Sequence, residues 1–488
     1  MAKKSRADRQ FDGAEALDRA LDELMASISD GDVLNAEMQA SSLLALPSLT
    51  DAAVAEQDLL AVAFIDAAEA RADEPEVTAA FLRLLMALGP RAVKQQASEA
   101  LGDITGDGIY PPDWVNAIGK PSPGQAYRGR DVFGDREAVL VTFSYGDAEH
   151  ALLFLLDLAE LPSVASVSLT TDVPRLLKLF ADGDGIVERL EPVALSEARR
   201  CVEVPLTRAG QDPDVELAAD TLLTLPLARS RVRRLPAPEP GQVVGYTAAD
   251  RAVAVAEFLH SSEAADAGDP DVARFWAQVL TGYSSRVADE PPAQPGRHKL
   301  GAALLVYVAG TFTLTAAQVD GMTPAVTAWT RWAARRQGLG EADTETLMTH
   351  LASLLAEFPA AYDDTDNVVA RAYVRDIVTP DADAAWLADC RARREFAAPL
   401  PDDRDPDVAA IDATDQDGRA IIVASEFAGC GQEGADDVQF LATARRVVEE
   451  LWHDDPPGTW QAAKGLLAKG HDPHDVIHLL AEARSRGK

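Results

Sequence analysis

Three histidines near the C-terminus have residue types and spacing that could bind a metal ion. His471, His474 and His478 occur in one short segment. Asp472 is a favourable N-cap, and Pro473 suits the first position of a helix. His474 and His478 are therefore predicted to lie four residues apart on one helical face, a spacing at which two imidazoles can share a metal.

Two interpretations of this helix are open. In the first, the three histidines bind zinc or iron, with Asp475 or His453 as a further ligand. In the second, they form a helix start and a polar surface without a metal. A helical wheel places the apolar residues on the face opposite the histidines, which predicts that the imidazoles point toward solvent or a partner. The predicted apolar stripe consists of Val476, Leu479, Leu480 and Ala483.

The residues before this helix carry a second recurring pattern. An Asp-Asp-Pro-Pro-x-x-Trp turn ends at Trp460 and precedes the His-Asp-x-x-His sequence that begins at His474. This combination resembles the C-terminal helical module of a set of uncharacterised actinobacterial proteins. The segment around Pro324, Trp329 and Trp332 and the strands between Gly134 and His150 are similar to segments of the same proteins, so that the resemblance covers about a third of the chain. It implies no established activity.

The sequence departs from that family at one place. Relatives that look like metal proteins carry a second His-x-x-x-His pair on the preceding helix, and here the matching positions are Phe440 and Ala444. Neither side chain can bind a metal. The resemblance therefore implies a weaker ligand set in this chain than in those relatives.

Net charge restricts the partners more than any motif does. The 488 residues carry a formal charge of −34, which disfavours direct contact with nucleic acid or an anionic membrane. A protein partner is expected, and a basic one suits the charge. The basic exception is the run from Arg229 to Arg234, which is interpreted as the flank of a linker. The sequence leaves the oligomeric state open.

The one long run of strand patterns lies in the middle of a largely helical sequence. Residues 138–144 and 150–156 are apolar and flank Gly146-Asp147, a favourable hairpin turn. Residues 165–170 alternate apolar and polar side chains. A three- or four-stranded antiparallel meander is predicted, with residues 153–156 in a central strand covered by helices on both faces. A short strand is also predicted at residues 201–206.

The predicted fold class is α+β and predominantly α-helical, with helical bundles around a small antiparallel β-meander and a C-terminal helical module. Proline-rich segments indicate the boundaries. The uncharged stretch from Leu300 to Val319 is interpreted as a buried helix followed by a turn. The predicted order is a helical domain (1–122), a small α+β domain (123–234), a Pro-rich linker (235–242), a second helical domain (243–398) and the C-terminal module (399–488).

No nucleophile elbow, phosphate-binding glycine loop or dinucleotide fingerprint occurs in the sequence. Three widely spaced cysteines fit a reducing cytoplasm. The preferred hypothesis is a cytoplasmic, non-catalytic interaction or regulatory scaffold. The alternative is a metal-binding regulator or metal-dependent enzyme that uses His471, His474 and His478. A third hypothesis is an acidic mimic of nucleic acid that sequesters a DNA-binding protein.

Overall fold

The computed structural model describes residues 22–46, 64–65, 75–106, 108–159, 162–182, 187, 189–209, 217–238, 246–287, 290–399, 412–427 and 435–486. The chain divides into two compact units, Met1–Val244 and Gly245–Lys488. This division falls just after the Pro-rich segment 235–242 that the sequence indicates as a linker. The finer domain boundaries stay predictions, and the acidic loop expected at residues 401–407 lies outside the described residues.

The first unit combines helices with one sheet, and residues 22–30 at its start are helical. Its helices are α1 (Val33–Ala45), α2 (Pro75–Leu88), α3 (Arg91–Gly106), α4 (Val173–Ala181), α5 (Leu195–Arg208) and α6 (Ala219–Val232). Its strands are β1 (Ser122–Arg130), β2 (Arg136–Tyr145), β3 (Ala148–Asp157), β4 (Ser163–Thr170) and β5 (Glu191–Val193).

The strands form one antiparallel sheet in the order β4-β3-β2-β1-β5. Tyr145 and Ala148 close the hairpin between β2 and β3. Gly146 lies in the turn with a φ of 59°, a conformation that glycine adopts without steric cost. The predicted meander is confirmed, and β1 and β5 extend it to five strands.

The sheet is covered on both faces, as predicted for its central strand. On one face Leu152, Phe154 and Leu156 of β3 belong to a core that includes residues of α5 and α6. On the other face Ala151 and Leu153 pack in a second core with residues of α4. Burial on both faces explains why β3 reads as a continuous apolar run and not as an alternating one.

Helix α6 covers the open edge of the sheet at β4. The backbone N–H of Val167 donates a hydrogen bond to Thr221 Oγ1 at 3.3 Å, so a helix side chain satisfies a donor on the outer side of the strand. Val167 is 2% exposed and Thr221 is 2% exposed. The strand is therefore closed to solvent at Val167, whereas Ala165 and Ser168 are exposed.

The strand predicted at residues 201–206 is wrong, because these residues continue helix α5. Val202 and Val204 favour strands by propensity. However, Ala198, Val202 and Leu206 recur every four residues and are all buried against the sheet. Burial of that helical stripe outweighs the weak local preference.

The basic run at residues 229–234, interpreted as the flank of a linker, lies at the end of helix α6, directly before the Pro-rich segment. Arg229 and Arg231 lie in the last turn of α6, and Arg233 is the C-cap of the helix. Cations are favourable at this end of a helix, where carbonyl groups without helical partners carry partial negative charge. The run is therefore part of the packed first unit.

The second unit is built of helices and loops, with no strand among its described residues. Its helices are α7 (Ala248–Leu259), α8 (Pro270–Gly282), α9 (Arg297–Gly301), α10 (Ala309–Thr311), α11 (Ala316–Asp320), α12 (Met322–Gln337), α13 (Glu341–Tyr362), α14 (Thr365–Ala372), α15 (Ala384–Ala397), α16 (Gln416–Glu426), α17 (Ala435–His453), α18 (Gly458–Leu467) and α19 (Pro473–Arg486). Together with the single sheet of the first unit, these helices confirm the predicted α+β, predominantly α-helical fold class.

Tryptophans form part of the core of residues 246–399. Trp276, Trp329 and Trp332 are nearly fully buried, and the ring centroids of Trp329 and Trp332 lie 6.3 Å apart. Helix α12 carries two of them and ends at Gly338, whose φ of 83° is left-handed.

The uncharged stretch from Leu300 to Val319 is a series of short helical pieces. It includes the π-helix Ala302–Val308, in which Leu304 and Val308 are fully buried. A non-helical segment at residues 312–315 follows, so the predicted buried helix and turn are confirmed. None of the described helices is long and apolar enough to cross a membrane.

Candidate functional site

Helix α19, which carries the C-terminal histidines, begins as the sequence predicts. Asp472 Oδ1 accepts a hydrogen bond from the backbone N–H of Asp475 at 2.8 Å, and Pro473 is the first helical residue. The buried face agrees only in part with the predicted one. Val476 is buried and Leu480 packs against the core as predicted. Ile477 and Ala481 are also buried, whereas Leu479 is 38% exposed and Ala483 is exposed.

This rotation of the apolar face moves the two helical histidines into contacts with phenylalanines. The His474 ring stacks on Phe427, with centroids 4.5 Å apart, and the His478 ring lies 4.6 Å from that of Phe440. The prediction that both imidazoles point away from the protein is therefore wrong. A helical wheel shows one helix without its neighbours. It therefore could not show that α16 and α17 supply phenylalanines on the side of the histidines.

Each of these imidazoles also faces its own carboxylate. His474 Nδ1 lies 3.6 Å from Glu426 Oε1, and His478 Nδ1 lies 3.2 Å from Glu482 Oε1. Glu482 follows His478 by one helical turn, whereas Glu426 is the last residue of α16. The pair of His474 and Glu426 therefore connects two helices.

The three histidines do not converge on one point. His471 is exposed in the turn before α19. Across the described ranges, no three His, Cys, Asp or Glu side chains form a group that could hold a metal ion. Phe440 contacts His478, and Ala444 is fully buried in the core. The described donor set does not fit the usual tetrahedral zinc site.

An apolar cleft opens beside His474, between the end of α15, the second half of α16 and the start of α19. Its cavity volume is about 40 Å³, well below the roughly 300 Å³ at which pockets for small ligands begin. Phe396, Ile422 and Ile477 contribute to its apolar lining, and of the ten lining residues only Glu426 and His474 ionise. The cleft is therefore a shallow apolar depression that can receive the end of one apolar side chain.

Charged and aromatic side chains connect the helices around the cleft. The Trp452 ring lies between the guanidinium groups of Arg394 and Arg419, which are 4.7 Å and 4.5 Å from its centroid. Arg419 donates two hydrogen bonds to Glu449, at 2.8 Å and 2.7 Å. Burial would raise the pKa of Asp376, but hydrogen bonds from Arg394 hold this pKa below its ordinary value. These contacts fix α15, α16 and α17 relative to one another.

A second group of ionisable residues is buried in the first unit. Arg231 Nη2 lies 2.5 Å from Glu37 Oε2, and both side chains are fully buried. Tyr145 donates its hydroxyl to Glu37 at 2.8 Å, and Arg231 Nε donates to His150 Nε2 at 3.1 Å. This group joins α1 and α6 to the hairpin of β2 and β3.

The chemistry of this buried group is that of a neutral histidine beside an ion pair. Burial and then the charge of Arg231 lower the pKa of His150 to about 3. The imidazole is therefore neutral near pH 7, and its Nε2 accepts the hydrogen bond from Arg231 without being protonated. Burial and the nearby carboxylate of Glu37 raise the pKa of Tyr145. Because Glu37, His150 and Arg231 are fully buried, the group is suited to holding elements together and not to meeting a substrate.

Sequence reasoning identified His474 but missed the rest of the cleft. Phe396, Ile422 and Phe427 come from helices that are separated along the chain, and no short motif marks them. The chain matches no protein-family model, and no curated protein or solved structure is significantly similar to it.

Proposed function

We propose that the chain is an interaction or regulatory scaffold whose C-terminal helical module binds a segment of a protein partner in the cleft beside His474. The observation that carries this proposal is the lining of the cleft. Phe396, Ile422 and Ile477 offer apolar surface, and Glu426 and His474 are the only ionisable lining residues. Such a lining suits recognition of an apolar side chain.

The expected partner segment is apolar and positively charged. The formal charge of −34 favours encounter with a basic partner and opposes a nucleic acid. Glu426 places a carboxylate within the apolar lining, and Asp472 and Asp475 are exposed at the adjacent start of α19. A lysine or arginine beside the apolar anchor would meet this acidic side of the cleft.

The experiment uses the full chain and three fluorescent helical peptides in anisotropy titrations. The first carries leucine and phenylalanine anchors flanked by lysines, the second has glutamates in place of the lysines, and the third has serines in place of the anchors. We expect only the first to bind. Equal binding of the first two peptides, or no binding of any peptide, would overturn the proposal.

A charge reversal at Glu426 tests whether the peptide binds in the cleft. Glu426→Lys should weaken binding of the lysine peptide by about tenfold, the effect of losing a charge-assisted contact. Glu345→Lys makes the same change in net charge at an exposed position on α13 and serves as the matched control. An equal loss in both variants would place the binding surface elsewhere and contradict the assignment of the cleft.

A further inference from the structure

The cleft beside His474 combines aromatic side chains with one carboxylate. Phe396, Phe427 and the His474 imidazole contribute its aromatic lining, and Glu426 is the one acidic residue among the ten that line it. None of these ten described residues is a lysine or an arginine. The lining therefore offers a negative charge beside apolar and aromatic surface.

Contacts within the C-terminal module hold these side chains in place. The His474 ring stacks on Phe427, with centroids 4.5 Å apart and an angle of 23° between the ring planes, and the Phe396 ring lies 5.6 Å from that of Trp460. His474 Nδ1 is 3.6 Å from Glu426 Oε1. The Glu426 side chain is 39% exposed, so a ligand at the mouth of the cleft can reach its carboxylate.

The polar groups of the lining suit one kind of cation. A primary ammonium has three N–H donors to satisfy, whereas Glu426 supplies the one carboxylate among the lining side chains. Burial of donors without partners costs free energy. A trimethylammonium group carries the same charge but has no N–H donor, and its methyl groups suit an apolar lining. Aromatic side chains are the usual surroundings of such a group in proteins.

The size of the cleft limits the ligand to an end group. A volume of about 40 Å³ is too small for a whole small molecule. A trimethylammonium group is compact, and in trimethyl-lysine it ends a long and thin side chain. The cleft therefore suits the end of such a side chain better than a complete ligand.

We propose that the cleft binds the trimethylammonium end of a methylated lysine on the protein partner. This inference rests on the proposed function and names the side chain that anchors the partner. The formal charge of −34 favours a cationic ligand. A choline lipid is a poorer fit, because its phosphate would lie next to the carboxylates of Asp472 and Asp475, which are exposed at the start of α19.

Anisotropy titrations of the full chain test the anchor. Four fluorescent peptides share one lysine-flanked helical sequence and differ at one anchor position. This position carries trimethyl-lysine, lysine, leucine, or the neutral analogue of trimethyl-lysine that has carbon in place of the quaternary nitrogen. We expect trimethyl-lysine to bind about tenfold more tightly than each of the others. If any of the others binds as tightly, the inference is wrong although the proposed function stands.

Thermal unfolding with small probes tests the same group without a peptide. Choline should raise the melting temperature of the full chain, and its neutral analogue with carbon in place of nitrogen should not. An equal effect of both compounds would contradict recognition of the charge. If no peptide binds, the proposed function and the lysine side chain are both wrong, and a choline effect would then identify a free quaternary ammonium compound as the ligand.

Two variants assign the binding to the cleft. Glu426→Gln removes the charge and Phe396→Leu removes an aromatic ring, and each should weaken binding of the trimethyl-lysine peptide by about tenfold. Glu345→Gln on α13 and Phe275→Leu on α8 make the same changes outside the cleft and serve as matched controls. Losses of equal size in all four variants would exclude the cleft as the binding site.

Discussion

Arg231 shows how strongly a single residue depends on its partners in this protein. Its guanidinium is fully buried, 2.5 Å from Glu37, whereas Arg233 two positions later is exposed. Sequence alone gives the two arginines the same character. Only packing distinguishes the buried ion pair of Arg231 from the exposed side chain of Arg233.

Replacement of Arg231 should therefore cost far more stability than replacement of Arg233. Arg231→Met leaves the Glu37 carboxylate buried beside an apolar side chain and should lower the free energy of unfolding by about 3–5 kcal/mol. Arg233→Met should change it by less than about 0.5 kcal/mol. Urea unfolding of both variants measures the difference, and similar values would show that the buried pair is not formed.

His150 should make the first unit sensitive to acid. Its pKa in the folded chain is about 3, below the ordinary value near 6.5 that the unfolded chain retains. As the pH falls from about 6.5 to about 3, the unfolded state binds a proton that the folded state does not. The free energy of unfolding should then fall by up to about 1.4 kcal/mol per pH unit from this residue.

The variant His150→Gln isolates that contribution, because glutamine can accept a hydrogen bond from Arg231 and does not titrate. Urea unfolding between about pH 7 and about pH 4 should show a steeper loss for the wild type than for the variant. Parallel pH profiles would mean that His150 titrates normally in the folded chain.

The metal hypothesis for His471, His474 and His478 has a direct test. Because the two helical imidazoles pack on different phenylalanines, we expect protein purified without a histidine tag to contain no stoichiometric metal. Removal of metal with a chelator should leave the melting temperature unchanged. Stoichiometric zinc or iron in elemental analysis would instead support a metal-binding regulator or metal-dependent enzyme.

At the scale of elements, the hairpin of β2 and β3 and the edge strand β4 could be predicted, whereas β1 and β5 at the other side of the sheet could not. Gly146-Asp147 between two apolar runs is a strong local signal. Strand β1 contains Pro123, Gly124 and Gly129, so its pattern is weak. It is a strand because β2 pairs with one side of it and β5 with the other.

The start of α19 was likewise predictable, and its orientation was not. The capping residue and proline act locally, within one turn of the chain. Which face becomes buried depends on α16 and α17, whose phenylalanines contact His474 and His478. The cleft was unpredictable for the same reason, since its lining is assembled from three separate helices.

The contacts of His474 with Phe427 and of His478 with Phe440 should stabilise the docking of α19. His474→Ala and His478→Ala should each lower the free energy of unfolding by about 0.5–1.5 kcal/mol, the range for aromatic pairs. His471→Ala is the matched control, because His471 is exposed and outside the helix. Equal effects of all three substitutions on urea unfolding would contradict a specific role for these aromatic contacts.

At the scale of the whole molecule, the two units each have their own buried cores. The Pro-rich segment precedes the boundary between Val244 and Gly245, as expected for prolines that deny backbone donors to regular structure. Composition and proline placement were enough to place this division. They do not determine the packing within each unit, which depends on contacts between distant residues.

Fragments 1–244 and 245–488 should therefore fold separately. Each is expected to unfold in one cooperative transition and to retain the near-ultraviolet circular dichroism of packed aromatic side chains. Calorimetry and circular dichroism of the purified fragments provide the measurement. A fragment without a cooperative transition would show that its core needs the other half of the chain.

The hydrogen bond from Val167 to Thr221 has a consequence for self-association. Strand β4 has no charged residue and no proline to discourage a neighbouring copy from adding a strand. The threonine hydroxyl occupies one of the backbone donors that such an addition would use, in the middle of the strand. An added strand would have to break this hydrogen bond and displace α6, which opposes fibril-like growth at a strand whose own composition favours it.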